Sequence, residues 1–252
     1  MIHTMRNILA SLLVVLALAP VRADDKVPVE IPKRSLPQSH TIRDVEGWRI
    51  RVDDRLLSGE NTALGARALK VVEAKLVLIT LVMPEKPLAE LRKINIQLDL
   101  DYGGLKNMQY HPGADWLRAN GYNVDVVKCV HIPEAKDLLN PYESHRQPWV
   151  MLHELSHGYH DQVIGFDEPR ITEVWKKFRD SGKYRSVLTS PGHEREHYGM
   201  TNQKEFFAEM TEAYFGSNDF YPFVAGELKQ AEPGVFSLME EIWGPLPGNR
   251  KK

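Results

Sequence analysis

The sequence has a single cysteine, Cys129, among its 252 residues, and almost no excess charge of either sign, its formal net charge being -2. One cysteine excludes an intramolecular disulfide framework and an all-cysteine zinc site. The charge balance implies no surface for nucleic acid or another polyanion. There is no internal repeat and no low-complexity tract. With 26% charged and 42% hydrophobic residues, the composition is that of a globular chain and excludes a collagen-like, coiled-coil or wholly disordered one.

Long apolar runs are scarce as well. The run from Ile8 to Ala19 has the length of a signal-peptide core and is too short to span a bilayer. Arg6 precedes it, and Val21-Arg22-Ala23 offers a cleavage site after Ala23. No cysteine follows for a lipid anchor. The expectation is a signal peptide over 1–23 and a secreted or periplasmic protein with no stable membrane anchor after cleavage. Residues 24–40 carry Pro28, Pro32 and Pro37 and read as a mobile leader, and 41–252 as a single domain.

What is present beyond the leader changes character along the chain. Trp48 to Val52 and Ile94 to Leu98 alternate apolar and polar residues, as half-buried strands do. Asn61 to Ala74 has helical spacing, the β-branched run Leu76 to Val82 reads as a strand, and Leu88 to Arg92 as a short helix. Another strand begins at Tyr122 to Val127, and Cys129, in the apolar stretch after it, reads as a buried small hydrophobe. From Pro148 onward helices dominate: Trp149 to Val163 stopped by Gly165, Ile171 to Phe178, Asn202 to Phe215 with Asn202 as N-cap, and Pro233 to Trp243. Lys183 to Tyr198 is a long polar loop. The predicted class is α+β, with a small mixed sheet, an active-site helix and a mainly helical C-terminal half.

His153-Glu154-Leu155-Ser156-His157 fits the pattern H-E-x-x-H. Residues four apart on a helix point to one side, so both imidazoles can reach one metal ion, and Glu154 can reach a water beside it. A catalytic zinc needs a third protein ligand. The metzincin continuation fails, because His160 and Val163 stand where its glycine and third histidine belong. His160 lies two turns from His153 and reads as a support for a ligand or a surface residue. Glu205, Glu209 and Glu212 fall at i, i+4 and i+7, on one side of the third helix. Such a stripe is usually solvated, but the adjacent Phe206 and Phe207 mark this helix as buried, and buried carboxylates need partners.

Together with H-E-x-x-H, the run Tyr198-Gly199-Met200-Thr201-Asn202-Gln203-Lys204-Glu205-Phe206-Phe207-Ala208-Glu209 resembles the catalytic domain of the anthrax lethal factor-like zinc metallopeptidases. The resemblance covers about Trp149 to Asp219. It implies a zincin-like fold and one zinc ion per chain bound by His153, His157 and Glu205. It also implies Glu154 as general base, Tyr198 as oxyanion stabiliser and Glu209 as a residue that holds a ligand histidine in place. The implied activity is hydrolysis of peptide bonds in a peptide or protein substrate, with an endopeptidase preferred to an exopeptidase. The large additional domains of the toxin are missing, so its substrate specificity does not carry over. Two rivals stand beside this reading, a zinc-containing binding module and a zinc hydrolase of a non-peptide amide. The segment Tyr122 to Val127, just upstream of the zinc helix, is placed to wall the cleft and pair with an extended peptide. The scattered His111, His131, His145, His193 and His197 receive no ligand role, although His197, beside Tyr198, is placed to line the cleft. Asp99 and Asp101 receive none either, and the aromatic run from Phe220 to Phe223 reads as core packing beneath the Asn202 to Phe215 helix, with a substrate pocket as the alternative.

Overall fold

A computed structural model describes residues 34–249, so the expected signal peptide and residues 24–33 of the leader lie outside the described residues. The elements in chain order are β1 (His40–Val45), β2 (Trp48–Asp53), α1 (Thr62–Val82), α2 (Glu85–Leu91), β3 (Asn95–Leu98), β4 (Gln109–Tyr110), α3 (Asp115–Ala119) and β5 (Cys129–Ile132). They continue with α4 (Pro141–Arg146), α5 (Val150–Tyr159), α6 (Pro169–Asp180), β6 (Val187–Leu188), β7 (Glu194–Arg195), α7 (Gln203–Phe215), α8 (Ala225–Ala231) and α9 (Pro233–Trp243). The class is α+β with a small mixed sheet. The main sheet has five strands in the order β1-β2-β3-β5-β4. β2, β3 and β5 run parallel, while β1 and β4 close the two edges antiparallel to their neighbours. No helix among the described residues is long and apolar enough to cross a membrane.

The hairpin β1–β2 begins where the mobile leader was expected to end. Its two-residue turn, Glu46-Gly47, has φ of 52° and 87°. Two positive φ angles match the twist of a tight hairpin, and glycine adopts them without strain. The end of the leader is also anchored. Arg34 donates to the carbonyls of Gly103 and Asn120, and its guanidinium lies 4.7 Å from the centre of the Tyr122 ring.

Two predicted strands are corrected. Leu76 to Val82 is the second half of α1. Its buried positions, Gly65, Ala68, Val72, Leu76 and Ile79, repeat at helical spacing, and all but the glycine join the main core, which outweighs the β-branched run. Tyr122 to Val127 is no strand either. Val124–Val126 form a 3₁₀ turn capped by the Asn123 side chain, and Lys128 has a φ of 60° before the strand begins at Cys129. Cys129 is buried as expected.

The core lies between the sheet and the helical half. Strand residues Ile50, Ile96, Leu98 and Val130 meet Met151, Leu152 and Leu155 of α5, and Phe206, Phe207 and Met210 of α7 join the same cluster. α5 approaches the sheet closely at Gly158, where a Cβ would stand 2.8 Å from Ile94 Cδ1. That contact seats the H-E-x-x-H helix.

Candidate metal centre

α5 and α7 pack side by side, and the site lies between them. The apolar faces bury Leu152 and Leu155 on one helix and Phe206 and Phe207 on the other. Those anchors leave His153 and His157 to face the opening turn of α7. That turn is fixed by Asn202, whose side chain accepts from the backbone N–H groups of Lys204 and Glu205.

Glu205 Oε2 stands 3.3 Å from His153 Nε2 and 3.2 Å from His157 Nε2. The three side chains bring one ligand atom each to within 4.8 Å of one another and could hold a metal ion. Donors held tetrahedrally about 2.05 Å from an ion lie about 3.3 Å apart, close to the two measured separations. The hydrogen bonds make the same demand. His153 Nδ1 lies 2.7 Å from Glu212 Oε1, so in a neutral ring this nitrogen carries the proton and donates it. The lone pair of Nε2 then faces a carboxylate oxygen, and a cation must lie between them. Without a metal that cation is a proton. Burial alone would lower the His153 pKa, but its bonds to Glu205 and Glu212 outweigh burial and raise it well above the usual imidazole value. Burial likewise pushes the Glu205 carboxyl up, and the two imidazoles override it and hold the group far below the ordinary carboxylate range.

The residue that orients His153 differs from expectation. Glu209 Oε1 comes only within 3.7 Å of His153 Nδ1, and the 2.7 Å bond belongs to Glu212. Glu212 also accepts from Gln147 Nε2 at 3.4 Å. The i, i+4, i+7 stripe contained Glu212, but spacing alone cannot say which acid reaches the ring. Glu209, Glu212 and Asp219 form a buried acidic group behind His153. Burial, with the neighbouring carboxylates, raises Glu209 well above its usual pKa and Asp219 to about 6.

Glu154 is buried, and its Oε2 accepts from the backbone N–H of Tyr110 on β4 at 2.7 Å. Burial raises its pKa. Tyr198 is 47% exposed at the mouth, and its pKa is raised, first by burial and then by Glu205. The expected loop 183–198 contains the small β6–β7 hairpin before it. Tyr198 opens a short 3₁₀ turn held from beneath. His197 Nδ1 accepts from the Gly199 N–H, and the Gly199 carbonyl accepts from Trp175 Nε1. His197 therefore packs under the turn, among Phe178, Tyr184 and Phe220, rather than lining the cleft.

His160 is neither a surface residue nor a support for a ligand. It is buried between Phe166 and Phe207, and neither ring nitrogen has a hydrogen-bond partner. Its position opens a π-helical turn over His160–Ile164, which swings it away from the line of His153 and His157. Asp99 is likewise structural, binding His40, His131 and Gln97 at the end of β3, while Asp101 pairs with Arg55.

His153, Glu154, His157, Tyr198 and Glu205 all line one cleft of about 680 Å³, with Glu209 at its base. The opposite wall is the outer strand β4, not the segment 122–127. A second cavity of about 340 Å³ adjoins the cleft and shares Met108, Gln147 and Glu154 with it. Comparison with known protein families, with curated proteins and with solved structures finds no match.

Proposed function

We propose that the chain is an exported, zinc-dependent metallopeptidase with a zincin-like, lethal factor-like catalytic domain. The single observation that carries this is the meeting of His153 Nε2, His157 Nε2 and Glu205 Oε2 at 3.2–3.3 Å, beside a buried Glu154 in an open cleft. His153, His157 and Glu205 would hold the zinc. When bound, the ion would supply Lewis acidity and lower the pKa of water to near neutrality. Zinc suits a set of two imidazoles and one carboxylate better than calcium or magnesium, which take oxygen donors.

The protein's own groups account for the remaining roles. Glu154 takes the proton of the attacking water and passes it to the leaving amine. Burial raises its pKa, which brings the group nearer the pH at which it works. Its bond to the Tyr110 N–H fixes it against β4, so the base is tied to the strand that walls the cleft. Tyr198 donates its hydroxyl to the oxygen that becomes negative as the peptide carbonyl is attacked. A raised pKa keeps that hydroxyl protonated. A binding module would require neither group. Glu212 accepts from His153 Nδ1 and so fixes the tautomer that presents Nε2.

The test is mass-spectrometric analysis of a diverse peptide library incubated with the protein from Asp24 onward. Wild type should cleave, and Tyr198→Phe should be slower by about 10²–10³-fold. No cleavage by zinc-loaded wild type would transfer the reading to a binding module or a non-peptide amide.

A further inference from the structure

We propose that the cleft selects peptides with acidic side chains near the scissile bond, read by Arg195 and Lys204. This rests on the peptidase reading and names its substrate class. The cleft is lined by four cations, Lys106, Arg146, Arg195 and Lys204. Two are already committed. Lys106 pairs with Glu134 at 2.6 Å, and Arg146 with Glu143 at 2.8 Å. Both lie where the cleft merges with the second cavity. Arg195 and Lys204 line only the cleft, and neither forms an ion pair among the described residues.

Their surroundings leave both free for a ligand. The Lys204 ammonium lies 4.1 Å from the centre of the Phe166 ring, which also lines the cleft. The cation–π contact holds the ammonium itself over the ring without pairing it to a carboxylate. Lys204 directly precedes the candidate ligand Glu205, so it stands beside the reacting centre. Arg195 is exposed on β7, three residues before Tyr198. Its neighbours Glu194 and Glu196 are not part of the cleft wall, and Glu194 accepts from Ser186.

Three carboxylates of the cleft are engaged. Glu143 is paired with Arg146, Glu154 accepts from Tyr110, and Glu205 faces the two histidines. Glu209 Oε2 and Asp219 Oδ1 have no hydrogen-bond partner, but both residues are buried away from the open wall. An incoming carboxylate thus meets two uncommitted cations, whereas an incoming ammonium finds no uncommitted carboxylate on the open wall. Partly exposed charge pairs are modest individually, so selection arises from the two together and weakens with salt.

The experiment uses two matched peptide sets on one uncharged core, flanked on both sides by glutamate or by lysine. Cleavage by the zinc-loaded protein is measured alongside binding of the same fluorescent peptides to Glu154→Gln. The glutamate set should be favoured about three- to tenfold in kcat/KM and in affinity at low salt. The double charge reversal Arg195→Glu, Lys204→Glu should invert the preference. Equal treatment of the two sets, or a lysine preference in wild type, overturns the proposal even if both are cleaved. Preferential binding of the glutamate set without any cleavage would sustain the charge selection and remove the peptidase reading.

Discussion

Replacing Glu154 by glutamine should lower kcat/KM by about 10²–10⁴-fold while leaving the zinc content and the fold unchanged. Glutamine has the shape of glutamate, and its amide oxygen can still accept from the Tyr110 N–H that now binds Oε2 at 2.7 Å. It cannot take up a proton. The group is buried and its pKa is raised, so exchanging a desolvated carboxylate for an amide costs the fold little. It is also not among the three groups that converge on the candidate metal position. The loss should therefore fall on the rate alone, read by peptide hydrolysis beside elemental analysis and a thermal melt. Full activity in a clean preparation would place the base elsewhere. Loss of zinc along with the rate would assign Glu154 a structural role.

The second large effect is on stability in acid. Three imidazoles are held neutral by burial: His111 and His197 with pKa values lowered to about 3, and His160 to about 4. For His111 the neighbouring His131 adds to the effect. In the unfolded chain each would protonate near pH 6.5. A depressed folded pKa means that stability is full above about pH 6.5 and falls as pH drops toward the folded value. Each group contributes a loss of about 1.4 kcal/mol per pH unit within that window. Asp219 works in the opposite sense. Its pKa is raised to about 6, so the folded state takes its proton first and gains relative stability as the pH falls below that value.

A difference measurement separates the two. His160→Phe keeps the aromatic contacts with Phe166 and Phe207 and removes a ring with no hydrogen-bond partner. Between pH 7 and pH 5, the metal-free variant should lose about 2 kcal/mol less than metal-free wild type in urea unfolding. Equal losses would mean that His160 is already protonated in the folded protein, or is solvated.

The sequence revealed the chemistry of the site more readily than its framework. Histidines four apart must share a helix face, so the pairing of His153 with His157 was legible from spacing. That α7 is a buried acidic helix was legible through Glu-Phe-Phe-Ala-Glu, because Phe206 and Phe207 bury it, whereas Glu205 as the third ligand came only from the family resemblance. The choice between Glu209 and Glu212 was not legible. It depends on the rotation of α7 against α5, a tertiary quantity. β4 was missed because two residues carry no periodicity. β1 was missed because the prolines before it suggested a leader, although Glu46-Gly47 between two alternating runs is a hairpin signal. The strand expected at Leu76 to Val82 failed because burial of one helical face in the main core, not β-branching, selected the helix. No sequence signal marked Arg195 and Lys204, since an uncommitted cation is defined by the partners it lacks in three dimensions.

The most direct measurement is the zinc content of the purified, zinc-equilibrated protein by elemental analysis, with Glu205→Ala beside it. One zinc per chain in wild type and strong loss in the variant are expected, because Glu205 Oε2 faces both imidazoles. Unchanged stoichiometry in Glu205→Ala would place the third ligand elsewhere, and a wild type that retains no zinc would contradict the proposed centre itself.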